Sequence, residues 1–367
     1  MTDVGIGIVG GGYMGKAHAV AFSSVGAVFD TALRPRLEMV CARSEQTAET
    51  YRKAFGFARA TSDWRALVCD DRVDAVVIAA PQNMHREIAL AAFAQGKHVL
   101  CEKPLGASLE DAHAMVQAAQ DAKRTNMMGF NYIRTPASQF AYSLLRDGRI
   151  GDIVCYRAEM TEDFLADPTI PANWRTEDRA TGTMGDLAPH IINNALRMVG
   201  PIEALSAQVQ TVHTTRGDAK VNNDDQAQMM LQFENGAMGH IFASRVATGR
   251  KMGYAYKIDG TKGAICFDGE DQNALHLYLS EGPQAERGYR KILTGPEHPD
   301  YLPFCQGPGH GTGYQDQIII EAKDFLEAIH TGQPKWPDFR AGLAVSRVVE
   351  AVFESSNSGA WVQVSKD

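Results

Sequence analysis

The first 130 residues alternate short apolar runs with segments typical of helices, and this alternation constrains the fold more than any other feature. The apolar runs read VGIGIV, LEMVCA, DAVVIAA and KHVLCE, and a further run, TNMMGF, closes the series near residue 130. The segments between them predict helices over 14–24, 45–54, 83–95 and 108–122. Strands that alternate with helices form βαβ units around a parallel sheet that is covered on both faces. Residues 1–130 are therefore predicted to form an α/β domain.

The pattern changes after about residue 150. Asn235-Gly236 lies between two runs rich in β-forming residues, which is a strong hairpin signal. The run YAYKIDGTKGAICF predicts a second hairpin, and ALHLYL and YRKIL predict further strands. Helices are predicted over 190–199, 315–330 and 339–355. Residues 131–367 are therefore predicted to form an α+β domain with a mostly antiparallel sheet.

The composition argues against several classes of protein. A length of 367 residues suits two domains, and a net charge of −8 argues against a surface that follows nucleic acid. No apolar run approaches the roughly 18 residues of a membrane span, and the N-terminus lacks a secretory pattern. The six cysteines are scattered without a C-x-x-C pair, which favours reduced thiols in the cytoplasm over disulfides or zinc. We therefore expect a cytoplasmic protein without a metal site, a membrane contact or a nucleic-acid partner.

The glycines that follow the first apolar run have the spacing of a dinucleotide-binding loop. Gly10-x-Gly12-x-x-Gly15 follows a predicted strand and opens a predicted helix. The first glycine makes the tight turn, the second lets the backbone approach a pyrophosphate, and the third lets the helix pack on the strand. The helix N-terminus offers free N–H groups to the phosphates. The context favours a Rossmann domain, although a purely structural turn would have the same glycines.

The end of the second strand bears on the choice of coenzyme. An acidic residue there normally binds the ribose 2′-hydroxyl, but this chain has Ala42, Arg43 and Ser44, and Glu38 lies at the wrong end of the strand. An alanine removes the repulsion of a 2′-phosphate, and an arginine pairs with one. The residues favour NADP slightly over NAD, the alternative being that Arg43 is an ordinary surface arginine and NAD is accepted.

Three further groups of residues are candidates for catalysis or substrate binding. Lys103 follows a parallel strand and precedes a proline, which holds it at the edge of the sheet where ligands bind, unless it is a surface lysine. Asp186 and His190 are four residues apart, on one helical face, and Pro189 predicts that a helix begins there. This pair suits a proton acceptor, although a helix cap and an ordinary histidine are the alternative. Trp174-Arg175, in a polar loop, suits a sugar-stacking platform and hydroxyl donor, or else a tryptophan that anchors the loop.

Glu102-Lys103-Pro104, together with the glycine motif and APQNMH at 80–85, resembles the glucose–fructose oxidoreductase and inositol dehydrogenase (Gfo/Idh/MocA) family. The resemblance implies a Rossmann domain followed by a domain built on a large open sheet. It implies hydride transfer between NAD(P) and a hydroxyl or keto carbon of a sugar, anhydrosugar or inositol. It also implies that Lys103 is catalytic beside Asp186 and His190. The coenzyme-binding residues that it implies, with those above, are Gly10, Gly12, Tyr13, Met14, Gly15, Arg43, Ser44, Pro81, Asn83, His85, Glu102 and Lys103.

The substrate side departs from the family pattern at one position. The family often has an aspartate three residues after the histidine, where this chain has Asn193, so an inositol contact does not carry over directly. The runs GFNYIRTPA, GPEHP and GPGHGTGYQDQ resemble the levoglucosan dehydrogenase-like sub-group, which acts on anhydrosugars and glycosides. His310 in the last run is either a pocket residue or, more simply, a solvated loop histidine. The expected substrate-binding residues are Tyr132, Trp174, Arg175, Asp186, His190 and Asn193.

The sequence therefore predicts an NAD(P)-dependent dehydrogenase of a sugar or polyol. His190 is the expected base, Lys103 the stabiliser of the developing alkoxide, and Asp186 the group that orients the substrate or the imidazole. The open sheet is expected to pair with further copies in a homodimer or homotetramer. Two alternatives stay open: a non-catalytic dinucleotide-binding redox sensor, and a sugar–sugar oxidoreductase whose NADP does not dissociate.

Overall fold

The computed structural model describes residues 2–365, and the chain divides into two compact units. The first unit contains the residues up to Arg134 together with Thr312–Ser346, and the second contains Thr135–Gly311 with the residues from Arg347 onward. This division differs from the two continuous segments that the sequence predicts, because residues 312–346 return to the first unit.

The first unit contains a six-stranded sheet among the described residues. All of its paired strands are parallel, and their order is β3-β2-β1-β4-β5-β6. The strands are β1 (Thr2–Val9), β2 (Leu33–Cys41), β3 (Arg59–Thr61), β4 (Ala75–Ile78), β5 (His98–Glu102) and β6 (Asn126–Gly129). The central strand β4 is buried along its whole length, as expected of a strand that is covered on both faces.

Helices alternate with these strands as predicted. They are α1 (Tyr13–Val28), α2 (Glu45–Phe55), α3 (Trp64–Val68), α4 (His85–Ala94) and α5 (Leu109–Ala122). A later helix, α9 (Tyr314–Thr331), packs on α1, where Phe325 meets Phe22 edge to face at 6.4 Å. This long-range packing explains why the segment around α9 belongs to the first unit. The division between the units falls within α10 (Phe339–Ser358).

The second unit is built on a sheet in which nine of the described strands take part. Its order is β16-β15-β14-β13-β7-β12-β11-β8-β17, and every pairing is antiparallel except that of β7 with β12. The strands are β7 (Ile153–Thr161), β8 (Ile202–Gln210), β11 (Gln226–Phe233), β12 (Met238–Ser244), β13 (Gly253–Gly260), β14 (Gly263–Asp268), β15 (Ala274–Leu279), β16 (Arg290–Leu293) and β17 (Val362–Gln363). A separate hairpin joins β9 (Thr215–Arg216) and β10 (Ala219–Lys220). Both predicted hairpins are confirmed, as is the predicted fold class.

The two faces of this sheet differ in polarity. Along β11, Ala227, Met229 and Leu231 are buried while Gln228 and Met230 point to the exposed face. The helices of this unit are α6 (Pro136–Arg146), α7 (Thr183–Asp186) and α8 (Ala188–Met198). Tyr156 of β7 and Tyr254 of β13 hydrogen-bond to Asn194 of α8, so the buried face carries the helix on which His190 lies.

Within residues 2–365, none of the helices is both long and apolar enough to cross a membrane.

Candidate active site

The glycine loop of the first unit has the geometry that a dinucleotide requires. Gly10 has φ +107°, and a side chain there would overlap the carbonyl group of Ala79. A side chain at Gly15 would overlap the carbonyl of Gly10, whereas the space beside Gly12 is open. Helix α1 begins directly after Gly12, and its first turn contains no acidic side chain to occupy the positive end of the helix. The residues present therefore fit a pyrophosphate at this turn.

The end of β2 presents a neutral and a basic residue, as the sequence suggests. Ala42 is buried and Arg43 is exposed. The hydroxyl of Ser44 accepts a hydrogen bond from the N–H of Thr47 at 3.2 Å and caps α2. The carboxylate of Glu38 is buried and engaged with arginines, among them Arg59 at 2.8 Å. Glu38 thus belongs to a structural ion-pair network, and Arg43 is the exposed charged residue directly after the strand.

His85 is held by the protein backbone. Its ring is buried, with Nδ1 2.9 Å from the carbonyl oxygen of Pro104 and Nε2 2.9 Å from that of Ala80. Burial lowers the pKa of His85, and the two carbonyls oppose this effect. The imidazole therefore ties the start of α4 to the turn after Lys103, and the role of His85 in coenzyme binding stays a prediction. Pro81 and Asn83 lie exposed on the same turn.

Glu102 and Lys103 differ in their environments. The carboxylate of Glu102 is buried, 2.7 Å from His18 Nε2, and a side chain at Gly129 would crowd it. Lys103 is only half-buried. The Glu102 carboxylate therefore points into the protein, and the role of Glu102 in coenzyme binding stays a prediction.

A buried ionic network surrounds Glu102. The ligand-type atoms of His18, Glu102 and Glu321 lie within 4.8 Å of one another, and Arg134 donates to Glu321 at 3.0 Å. Burial raises the pKa of Glu321 to about 7, against the opposing charges of Arg134 and His18. Burial is the largest single influence on His18 and lowers its pKa, but the hydrogen bond to Glu102 and the charges of Glu102 and Glu321 together outweigh it, so the pKa of His18 is raised. His18, Glu102, Glu321 and Arg134 therefore form a buried, hydrogen-bonded ion network.

Three tyrosines gather beside the glycine loop. Tyr13 is 71% exposed and stacks on Tyr314 with ring centroids 5.8 Å apart, while Tyr132 lies 6.1 Å from the same ring. The hydroxyl of Tyr314 lies 3.3 Å from the sulfur of Met14. Sequence reasoning gave no role to Tyr314, although it lies within the run GPGHGTGYQDQ and is the first residue of α9. The structure therefore brings Tyr13, Met14 and Tyr132 together through a residue that was not predicted.

The second unit places Asp186 and His190 on two consecutive helices. Asp186 ends the short helix α7, and α8 begins at Ala188 with Pro189 in its first turn, as predicted. His190 is 7% exposed. The carboxylate of Asp224 accepts a hydrogen bond from the N–H of Met184 at 2.7 Å and fixes the start of α7.

The two asparagines that follow His190 have different roles. Asn194 bridges the hydroxyls of Tyr156 and Tyr254, at 2.7 and 2.8 Å, and so binds α8 to the sheet. Asn193 is fully buried, and its amide nitrogen and oxygen have no hydrogen-bond partner among the described residues. A buried amide without partners costs about 1–3 kcal/mol per group. Asn193 therefore stays a candidate for a polar contact that forms only when a ligand binds.

Trp174 and Arg175, the residues of the predicted sugar platform, lie close to Asp186 in the second unit. The guanidinium of Arg175 lies 4.1 Å from the centre of the Trp174 ring, and its Nε is 3.5 Å from Asp186 Oδ2. Trp174 is 55% exposed, which disagrees with the alternative that it anchors the loop in the core. An exposed ring beside a charged donor and acceptor suits the apolar face and the hydroxyls of a sugar.

His310 is exposed and lies beside Cys305, with its Nδ1 3.3 Å from the thiol sulfur. The hydroxyl of Tyr301 braces the same loop through Gly307 and Gly311. This arrangement agrees with the simpler interpretation of His310 as a loop residue.

Family models match most of both units. A model described as an oxidoreductase family with an NAD-binding Rossmann fold matches residues 4–130, and a GFO/IDH/MocA C-terminal domain model matches residues 138–266.

Individual proteins are similar over nearly the whole length. The chain is 36% identical to levoglucosan dehydrogenase of Pseudarthrobacter phenanthrenivorans, with 99% of each chain covered. It is 28% identical to inositol 2-dehydrogenase of Rhizobium meliloti, with 96% of each covered. A solved structure of levoglucosan dehydrogenase in complex with NADH and levoglucosan superposes with a TM-score of 0.97, at 35% identity and full coverage of both chains.

Proposed function

This chain belongs to the GFO/IDH/MocA oxidoreductase family, and from that premise we propose that it oxidises a hydroxyl of a levoglucosan-like anhydrosugar. It is an NAD(P)-dependent oxidoreductase that transfers hydride between the nicotinamide and a hydroxyl or keto carbon of a sugar, anhydrosugar or inositol. The observation that carries the narrower proposal is the arrangement of Trp174, Arg175 and Asp186, because it offers a ring face and paired polar groups to a compact, neutral pyranose.

We assign the proton and charge chemistry to three side chains. A bound nicotinamide coenzyme supplies the hydride acceptor. His190 takes the hydroxyl proton as the substrate carbon loses hydride, and so acts as general base. Lys103 directs its positive charge at the developing alkoxide, and Asp186 orients the substrate or the imidazole. Reduction of the ketone reverses these steps, so the same imidazole must then begin protonated.

The choice between the two coenzymes stays a prediction. The neutral Ala42 and the exposed Arg43 at the end of β2 favour NADP, because they place a cation and no carboxylate where a 2′-phosphate would lie. We expect Ser44 to contribute less to coenzyme binding than the sequence suggests, since its hydroxyl already caps α2.

A substrate panel tests the proposal directly. Purified protein is mixed with levoglucosan, myo-inositol or D-glucose and with NAD or NADP, and the absorbance of reduced nicotinamide is followed. We expect the highest kcat/KM with levoglucosan. Absence of coenzyme reduction with every sugar would instead favour the redox sensor, and exchange of hydride between two sugars without added coenzyme would favour the sugar–sugar oxidoreductase.

Two tryptophans provide a matched pair of variants. Trp174 and Trp361 are exposed to a similar extent, 55% and 53%, but only Trp174 contacts Arg175. Trp174→Ala should raise the KM for the sugar and leave the KM for the coenzyme unchanged, whereas Trp361→Ala should change neither. Equal effects of the two variants would remove the sugar platform from the proposal.

We also propose that the exposed face of the large sheet pairs with further copies of the chain. That face presents Met230 and Met238, which are 53% and 70% exposed. Light scattering during size-exclusion chromatography should give the mass of a dimer or tetramer. Charged substitutions at these two methionines should lower that mass, and a monomeric wild type would contradict the assignment.

A further inference from the structure

The loop of residues 162–182, which carries the sugar platform, is held from inside the protein by buried arginines. Its regular structure is limited to two short 3-10 turns, Trp174–Thr176 and Arg179–Thr181. Loops with little regular structure are usually mobile, so a precise platform needs added support.

Arg245 provides that support at the end of the loop that bears the platform. Its side chain is 1% exposed, and Nη1 donates to the carbonyl oxygens of Arg175 and Thr181 at 2.7 and 3.2 Å. Nη2 donates to Asn223 Oδ1 at 2.7 Å, and Nε donates to Asp225 Oδ1 at 2.9 Å. The charge is thus neutralised by a buried carboxylate, while the remaining donors are directed at the loop backbone.

Asn223 adds a second donor to the same peptide. Its Nδ2 lies 2.8 Å from the carbonyl oxygen of Arg175 and 2.7 Å from that of Asp178. The carbonyl of Arg175 therefore accepts hydrogen bonds from two buried side chains. The side chain of the same residue stacks on Trp174 and pairs with Asp186.

Arg216 holds the other part of the loop and offers an internal control. It is 2% exposed and donates to the carbonyl oxygens of Leu165, Asp167 and Ile170 at 2.5, 2.8 and 3.2 Å. Arg216 and Arg245 thus share burial, charge and the type of acceptor, but the hydrogen bonds of Arg216 go to the part of the loop that lies before the platform.

We propose that Arg245, assisted by Asn223, is a positioning residue that sets substrate affinity by fixing the peptide of Arg175 and thereby the guanidinium that pairs with Asp186. The proposal rests on the proposed sugar oxidation. It concerns no contact between Arg245 and the substrate, because Arg245 acts through Arg175.

The test compares Arg245→Lys with Arg216→Lys, since both variants keep the charge and lose the planar fork of donors. Arg245→Lys should raise the KM for levoglucosan at least tenfold, with the KM for the coenzyme changed less than twofold. Arg216→Lys should leave the KM for levoglucosan within about threefold. Equal KM increases in the two variants would overturn the proposal.

A double-mutant cycle separates positioning from general loss of stability. In an Arg175→Ala background, Arg245→Lys should produce no further increase in KM, because the side chain that it positions is gone. Additive increases would show that Arg245 acts by another route and would overturn the proposal. If Arg245→Lys does not fold, Asn223→Ala takes its place in the same cycle, since it removes one donor to Arg175 and leaves the Arg245–Asp225 pair intact.

Amide hydrogen exchange tests the same proposal without any substrate. Arg245→Lys should speed amide exchange in residues 174–182 and leave residues 165–170 unchanged, and Arg216→Lys should do the reverse. If no sugar in the panel is oxidised, the proposed function fails, while this exchange pattern still decides whether Arg245 holds the Arg175 peptide. Unchanged exchange in residues 174–182 would refute the proposal that Arg245 holds the Arg175 peptide in place.

Discussion

Asp224→Asn should change how the stability of the protein depends on pH. Asp224 is 4% exposed; one carboxylate oxygen accepts the N–H of Met184 at 2.7 Å, and the other has no hydrogen-bond partner among the described residues. Burial raises the pKa of Asp224 from 3.8 to about 6, although the Met184 N–H and the charge of Arg245 oppose the shift. The carboxyl group that begins α7 is therefore held in a site that disfavours its charged form.

The size and sign of the effect follow from proton linkage. The folded state binds the proton of Asp224 more tightly than the unfolded chain does. Protonation of Asp224 therefore contributes fully to the free energy of unfolding below pH 3.8, and this contribution is lost as the pH rises through 6. A shift of about two pKa units corresponds to about 3 kcal/mol, of which about 2 kcal/mol is lost between pH 4.5 and 7.5. An asparagine does not titrate, and its carbonyl oxygen still accepts the Met184 N–H. The stability of Asp224→Asn relative to wild type should therefore increase by about 2 kcal/mol over that range.

Urea unfolding curves at several pH values between 4.5 and 7.5, followed by far-UV circular dichroism, measure this difference. Asp218→Asn, on the exposed hairpin of β9 and β10, controls for the loss of one negative charge. A difference between Asp224→Asn and wild type that stays flat or falls with pH would refute the reasoning. In that case the hydrogen bond and Arg245 would outweigh burial, and the charged carboxylate would be the stable form in the folded protein.

Three further predictions concern the proposed chemistry. Lys103→Ala should lower kcat by about 10²–10³-fold while coenzyme affinity, measured by fluorescence titration, changes only a few-fold; retained activity would make Lys103 structural. His190→Asn should abolish or shift the acid limb of kcat/KM for oxidation between pH 5 and 10, and an unchanged limb with a near-normal rate would exclude His190 as the base. Ala42→Asp should shift the ratio of kcat/KM values from NADP toward NAD, because a carboxylate repels the 2′-phosphate and accepts from the 2′-hydroxyl; a wild type that favours NAD by tenfold or more, about 1.4 kcal/mol, would contradict this reasoning.

Features that depend on neighbours in the chain could be predicted from the sequence. The predicted helix over 108–122 is observed as Leu109–Ala122, and the Asn235-Gly236 turn joins β11 and β12. The tight turn at Gly10 and the proline in the first turn of α8 were also predicted. Capping, turn chemistry and hydrophobic periodicity act over a few residues, so each leaves a local pattern that can be recognised.

Features that depend on distant partners were decided by the tertiary structure. The inward orientation of Glu102 follows from His18, which lies 84 positions earlier in the chain, and the orientation of His85 follows from the carbonyl of Pro104. The return of α9 to the first unit places Tyr314 beside Tyr13, and Arg245 reaches the peptide of Arg175 across 70 positions. A single sequence shows which side chains are polar or apolar, but burial and hydrogen-bond partners depend on which distant segments pack together. For that reason the sequence by itself determined the fold class and the candidate catalytic motifs, and only the folded chain decided which of those residues are buried and which of them hold other residues in place.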